Sequence, residues 1–399
     1  MNILIIGAGA IGGLVASRLA EDHKVDQHEN KRNESSPHTI TLAGRQSLVD
    51  AFLQQGGLCV TEQDSTKIIS AISPAASIFD AYKQIKIDTA IEIDNFDFDL
   101  AIFTVKSYDT EGAAAELARE VKARGSKQPV VMSLQNGVGN EETLAAAGFT
   151  QIIAGNITTP VSVLASGHIR IDKPNSTVGL SIWINENGTQ RFPENSRVPV
   201  WPFFNQVGEL FASHSFSVEN YRSAQSMKWT KLLMNMVGNA SSAILDQAPP
   251  QAFAEDAIAD LEIEAWRETL TVMNAARIEP VNMGKYPFRI LAPLIRRLPK
   301  SILRGVLRRQ VSSGRGGKMP SLHIDLHSGK GRSEVGWLNG AVVKLGQQLK
   351  IPTPINQFFT ETLTSLLDDH ESRRMWHGES KRLVRSAEKY RRWSQDDRY

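Results

Sequence analysis

The apolar positions along the chain change their period near residue 218. Asn2–Ile6 is a short apolar run that closes on Gly7-Ala8-Gly9-Ala10-Ile11-Gly12-Gly13, after which Ile11, Leu14, Val15 and Leu19 recur at helical spacing. This predicts a strand, a glycine turn and a helix. A second strand is predicted over 39–43, ending at Gly44-Arg45, and apolar runs at 100–105, 130–134 and 152–156 alternate with Ala- or Glu-rich helical stretches. Such alternation is the pattern of a parallel sheet covered by helices. The polar stretch 21–38 reads as a surface insertion, and 166–202, rich in Gly, Asn and Pro, as strands and turns without a helix. From Tyr221 onward the pattern is helical: one long apolar helix over 227–245, an Ala- and Glu-rich one near 256–275, and others after Glu334 and Pro354.

Composition narrows the classes. A chain of 399 residues exceeds one comfortable core, so two domains are expected. With 41% hydrophobic and 22% charged residues it is globular rather than disordered, and a net charge of +2 selects no particular partner. Cys59 is the sole cysteine, which excludes an intrachain disulfide and a thiolate metal cluster and fits a reducing cytoplasm. No uninterrupted apolar run reaches the roughly 20 residues of a bilayer span, so no integral membrane segment is expected. No metal site is predicted. No recognised nucleic-acid reading module is present either.

The glycine turn carries the first candidate chemistry, because it follows a strand and opens an amphipathic helix. Gly7 permits the tight turn, Gly9 lets the backbone approach a pyrophosphate, and Gly12 allows close packing, while Ala10 and Ile11 open the helix whose N–H groups and dipole favour an anion. The expected fold class is therefore α/β plus all-α: an N-terminal Rossmann domain over 1–218 and a helical C-terminal substrate and dimerisation domain over 219–399. A homodimer is left open. At the end of the second strand an acid would accept the ribose 2′-hydroxyl, whereas a cation accommodates a 2′-phosphate. Arg45 stands there, which favours NADPH. Lys106 and Asn136 follow the ends of two further strands, where ligands of open α/β sheets collect.

On the substrate side, Lys231, Asn235 and Asn239 are spaced by four and form one polar stripe on a helix otherwise apolar. Buried amides and ammoniums need partners, so protein groups or a ligand must satisfy the stripe. Glu334 precedes an apolar helical face through Leu338, Val342 and Leu345 and is expected to point inward from the first turn, against the plainer reading of a first-turn acid that complements the helix dipole. Gly336 and Gly340 are assigned to close helix packing.

With these residues assembled, the chain resembles the ketopantoate reductase family. The matching segments are GAGAIGG at 7–13, Arg45, VKSYDT at 105–110, LQNGVGNEE at 134–142, KWTKLLMNMVGN at 228–239, SLHID at 321–325, SEVGWLNG at 333–340 and IPTPIN at 351–356. The resemblance implies NADPH-dependent reduction of a 2-oxo acid, ketopantoate foremost, with Lys231 as proton donor and Glu334 holding the distal hydroxyl of the substrate. It also implies that Asn235, Asn239 and Ser321 bind the substrate, and that Lys106 and Asn136 lie where nicotinamide and substrate meet. Two stretches depart from the compact family pattern. One is the polar insertion at 24–38; the other is the acid-free basic stretch between Lys285 and Lys318, just before Ser321. Three alternatives stay open: a relative reducing another 2-oxo acid or making an opine-type product, an NADPH sensor without turnover, and a membrane- or partner-binding protein. The last rests on Leu291, Leu294, Ile295, Leu298, Ile302, Leu303, Val306 and Leu307 lying among arginines.

Overall fold

A computed structural model describes residues 1–21, 38–84, 97–184, 201–314 and 318–396, and the chain divides into two compact units. The first comprises Met1–Gln135 and Asn140–Ala224; the second comprises Asn136–Gly139 and Gln225–Tyr399.

The described residues of the first unit form twelve strands. They are β1 (Asn2–Ile6), β2 (Thr39–Ala43), β3 (Leu58–Glu62), β4 (Ser65–Ile69), β5 (Ile72–Ala75), β6 (Leu100–Phe103), β7 (Val130–Ser133), β8 (Ile152–Ile157), β9 (Val161–Ala165), β10 (His168–Ile171), β11 (Ser176–Trp183) and β12 (Phe216–Asn220). Its helices are α1 (Ala10–Leu19), α2 (Gln46–Gln55), α3 (Ile78–Gln84), α4 (Thr110–Arg124), α5 (Asn140–Ala146) and α6 (Trp201–Ser213). Eight strands form one sheet in the order β12-β11-β8-β7-β6-β1-β2-β5, in which only β11 against β8 is antiparallel. Strands β6 and β7 are buried along their whole length, as continuous apolar runs in a sheet covered on both faces should be. The first strand lies between β2 and β6, so the strand order reverses there and a crevice opens at its carboxyl end.

A second, four-stranded sheet, β4-β3-β10-β9, includes β10 from the stretch read as strands and turns, while β3, β4 and β9 are not expected from the sequence. It explains why α1 is buried from Gly12 through Leu19: a Cβ on Gly13 would come within 2.9 Å of Ile169 in β10, so this sheet covers the helix. Inside that contact Arg18, 7% exposed, donates to Glu62 on β3 at 2.7 Å. The βα rhythm also runs further than expected, because α6 leads into β12, which pairs in parallel with β11 and extends past 218 to Asn220. The polar insertion at 24–38 lies outside the described residues except for His38.

The second unit is helical: α7 (Ala224–Met236), α8 (Ala240–Leu245), α9 (Pro249–Ala252), α10 (Asp256–Ala275), α11 (Phe288–Arg297), α12 (Lys300–Gly314), α13 (Ser321–His327), α14 (Asn339–Gln348), α15 (Pro354–Ser365), α16 (His370–Trp376) and α17 (Ser380–Asp396). The long helix expected over 227–245 is instead two helices. Gly238 takes φ +62°, a left-handed conformation that ends α7, and a Cβ there would meet Phe253 at 2.9 Å. The basic stretch forms α11 and α12, each packed against α10. Lys300, Arg304 and Arg308, one turn apart, face Glu264, Asp260 and Asp256, also one turn apart, and Arg304 grips Asp260 with two nitrogens at 2.8 and 2.6 Å. Arg315 lies outside the described residues. No helix among the described residues is long and apolar enough to cross a membrane.

Candidate active site

The glycine turn at the end of β1 is shaped for close approach. Gly7 takes φ +113°, and a Cβ on it would meet the Val105 amide nitrogen at 2.6 Å; a Cβ on Gly12 would meet the Gly7 carbonyl oxygen at 1.8 Å. Neither position tolerates a side chain. A Cβ on Gly9, by contrast, would find no heavy atom within 4 Å, so the backbone there faces open space. Gly9 is also the N-cap of α1 and adds no side-chain cap, which leaves the first-turn amides of Ala10, Ile11 and Gly12 without partners in the helix. A diphosphate fits this arrangement, since N–H donors and the positive helix end converge where no side chain intervenes.

One residue that pins the turn was not singled out from the sequence. Thr104, following β6, donates its hydroxyl to the Gly7 carbonyl at 2.7 Å, tying the glycine turn to the neighbouring strand end. On the other side of β1, Arg45 is exposed at the N-cap of α2 and makes no ion pair among the described residues. Lys106 is half-buried at the start of a 3-10 turn, Ser107–Asp109. That turn rests on a buried polar network: Gln135 donates to the Val105 carbonyl at 2.9 Å and to Thr110 at 2.6 Å, Thr110 donates to Asn140 at 3.0 Å, and Asn140 donates to Ser107 at 3.3 Å. Ser107, Thr110, Gln135 and Asn140 of VKSYDT and LQNGVGNEE therefore have a structural occupation.

The predicted substrate residues all belong to the helical unit, and Asn136 joins them there. Lys231, 8% exposed, and Asn235 sit one turn apart on α7, and Asn235 donates to the exposed Asn136 at 2.9 Å. Next to Asn136, Gly137 takes φ +81°, with Trp337 so close that a Cβ would meet its carbonyl oxygen at 2.6 Å, and Val138 donates to that same carbonyl at 3.2 Å. The segment 136–139 thus touches both α7 and the turn that carries Glu334.

Asn239 is not on the same helix as Lys231. It is the N-cap of α8, 2% exposed, where it donates to Ser321 at 3.4 Å and accepts from the Leu322 amide at 3.1 Å. Its amide thereby satisfies the first turn of α13 as a capping residue supplied from another helix. Glu334 is buried, as expected, but it lies on a 3-10 turn, Glu334–Trp337, with Ser333 as its N-cap, and not on the helix that follows. Its amide donates to Asp325 of α13 at 3.1 Å. Gly340 is tightly packed, with Thr360 3.3 Å from its would-be Cβ, whereas Gly336 is exposed with open space around it and serves no packing.

Comparison with known proteins matches the profile of "Ketopantoate reductase PanE/ApbA" over residues 3–181 and that of its C-terminal domain over 223–366. The chain belongs to the ketopantoate reductase family. As a member it is an oxidoreductase, and a nicotinamide dinucleotide is the cofactor that the glycine turn fits. It is similar to the 2-dehydropantoate 2-reductase of Pyrococcus horikoshii, 25% identical over 89% of this chain and 94% of the relative. The one from Archaeoglobus fulgidus is 27% identical over 82% and 94%. Among solved structures, a PanE/ApbA family ketopantoate reductase from Ralstonia eutropha superposes with a TM-score of 0.67 at 22% identity, covering 92% of this chain and 99% of that one. A D-mandelate dehydrogenase solved with NADH and anilino(oxo)acetate also gives 0.67, at 17% identity, covering 92% and 98%. Both have the fold of this family member.

Proposed function

We propose that this family member reduces a 2-oxo acid to the 2-hydroxy acid with NADPH, and that its substrate is 2-dehydropantoate, the compound for which its curated relatives are named. Reduced nicotinamide supplies a hydride to C2 of the keto acid. The chain's residues answer the charge that this builds on oxygen. The Lys231 ammonium, held in a helix buried on nearly every side, donates the proton to the forming alkoxide. Asn235, Asn239 and Ser321 orient the acid, Glu334 accepts a hydrogen bond from the distal hydroxyl, and Asn136 and Lys106 flank the reacting centre. Arg45 takes the 2′-phosphate. The compartment is the cytoplasm, in keeping with a single thiol.

One observation carries the reading: a lysine 8% exposed, one turn from an asparagine that is itself bonded to Asn136. Lys231→Ala tests it, with NADPH binding followed by fluorescence and turnover by NADPH absorbance. General acid catalysis contributes about 10²–10⁴-fold, so kcat falls by that factor while cofactor affinity stays. A kcat within tenfold of wild type removes Lys231 from this role. A second reading, reduction of a different 2-oxo acid, is favoured by the basic stretch that ends just before Ser321. Steady-state kinetics over a panel of 2-oxo acids separates the two by which substrate gives the highest kcat/KM.

A further inference from the structure

We propose that Asp246, His323 and His327 form a site for a divalent transition-metal ion of the zinc class, fastening the end of α8 to α13. Asp246 closes α8 in a left-handed conformation, φ +49°, and its Oδ1 lies 2.6 Å from Nε2 of His323. His323 and His327 are one turn apart on α13, their rings stacked with centroids 4.0 Å apart. The ligand-capable atoms of the three residues all lie within 4.8 Å of one another. Around a tetrahedral ion with bonds of about 2.0–2.1 Å, ligand atoms stand about 3.3 Å apart. The 4.8 Å spread exceeds that separation, and a change of rotamer at the exposed His327 brings the three ligand atoms onto one ion.

The protonation pattern supports ligation. Nδ1 of His327 lies 3.0 Å from the carbonyl oxygen of His323, which can only accept, so Nδ1 carries the proton and the Nε2 lone pair faces outward. A ring nitrogen donating to a backbone carbonyl while the other binds is the usual outer-shell arrangement of a metal-bound histidine. Ligation also requires neutral imidazole. The other carboxylate oxygen of Asp246, Oδ2, lies 3.1 Å from Nδ1 of His377. Two imidazoles and one carboxylate, with water completing the shell, select zinc, copper or nickel over calcium or magnesium. The ion would join two helices already tied at their other ends, where Asn239 holds Ser321 and the Leu322 amide.

The test uses the full chain without a histidine tag, stripped with a chelator and titrated calorimetrically with zinc chloride alone. One ion binds per chain, and at about 100 times the dissociation constant it raises Tm by about 5–10 °C. His323→Gln and His327→Gln each weaken binding at least tenfold, and cobalt in place of zinc gives the visible absorption of a nitrogen- and oxygen-ligated ion in wild type only. Because His327 is exposed, its variant unfolds without metal at the wild-type temperature. Absence of stoichiometric binding, undiminished binding in both variants, or loss confined to a variant that has itself been destabilised overturns the site.

Discussion

In the proposed function Arg45 is the residue that meets the 2′-phosphate of NADPH. It stands two residues past the end of β2, is exposed, and is engaged by no acid among the described residues, so its guanidinium is available to a phosphate without first breaking an ion pair. A lost charge-assisted hydrogen bond is worth about 1.5–3 kcal/mol, or about 10–100-fold. Arg45→Ala should therefore raise the Kd for NADPH by that factor and leave NADH within about twofold, read by fluorescence titration; equal losses for both dinucleotides would show that Arg45 does not meet the 2′-phosphate. At this scale the sequence was informative where backbone geometry admits one residue type. Gly7 and Gly12 are such places, since a Cβ at either would strike main-chain atoms. Thr104 and Gln135 were not legible, because a threonine or glutamine after a strand looks the same whether it pins a loop or faces water. Only their partners in space, the Gly7 and Val105 carbonyls, distinguish the two.

At the scale of elements, periodicity found α1 and α10 and misjudged the extent of α7. Lys231, Asn235 and Asn239 satisfy a spacing of four whether or not the helix is continuous, and Gly238 breaks it between the second and third. The break matters, because it frees Asn239 to cap α13. Short exposed strands such as β4 lack the apolar alternation that marks a strand, so most of the second sheet went unread. The IPTPIN segment shows a further element-level device. Glu268 of α10 accepts from the amides of Ile355 and Asn356 at 2.9 and 3.0 Å, closing the N-terminus of α15. Burial pushes its carboxyl from the ordinary 4.5 up to about 7, against those hydrogen bonds, which favour the ionised form. A carboxyl raised on folding binds more protons folded than unfolded, so its contribution is present below about pH 4.5 and is lost as pH rises through 7. That loss is on the order of 3 kcal/mol. Urea unfolding at pH 5 and pH 8 should show it in wild type and not in Glu268→Gln, which cannot ionise; identical pH dependence in the two would mean that Glu268 is already ionised at pH 5.

At the scale of the whole chain, the apolar residues collect into two cores, one in each unit. The sheet core includes Ile3, Leu100 and Phe211, and the helical core includes Leu232, Phe253 and Phe359. The α11–α12 segment, whose arginines and leucines suggested a surface-seeking element, contributes to the second of these. Ile295, Leu303 and Leu307 are at most 5% exposed and belong to the helical core, while Lys300, Arg304 and Arg308 are held by the acids of α10. Its outward residues Ile302 and Val306 are 54% and 50% exposed. The segment thus packs on the core of its unit, with Lys300, Arg304 and Arg308 engaged by protein carboxylates. Large-to-small changes in a core cost about 2–5 kcal/mol, whereas exposed positions stay within about 0.5 kcal/mol. Leu307→Ala should accordingly destabilise the chain by an amount in the first range and Ile302→Ala by one in the second, measured by denaturant unfolding followed with far-UV circular dichroism. An element that detaches to find a membrane would give the opposite order in a different assay: Leu307→Ala would leave unfolding unchanged and would weaken co-sedimentation with anionic vesicles.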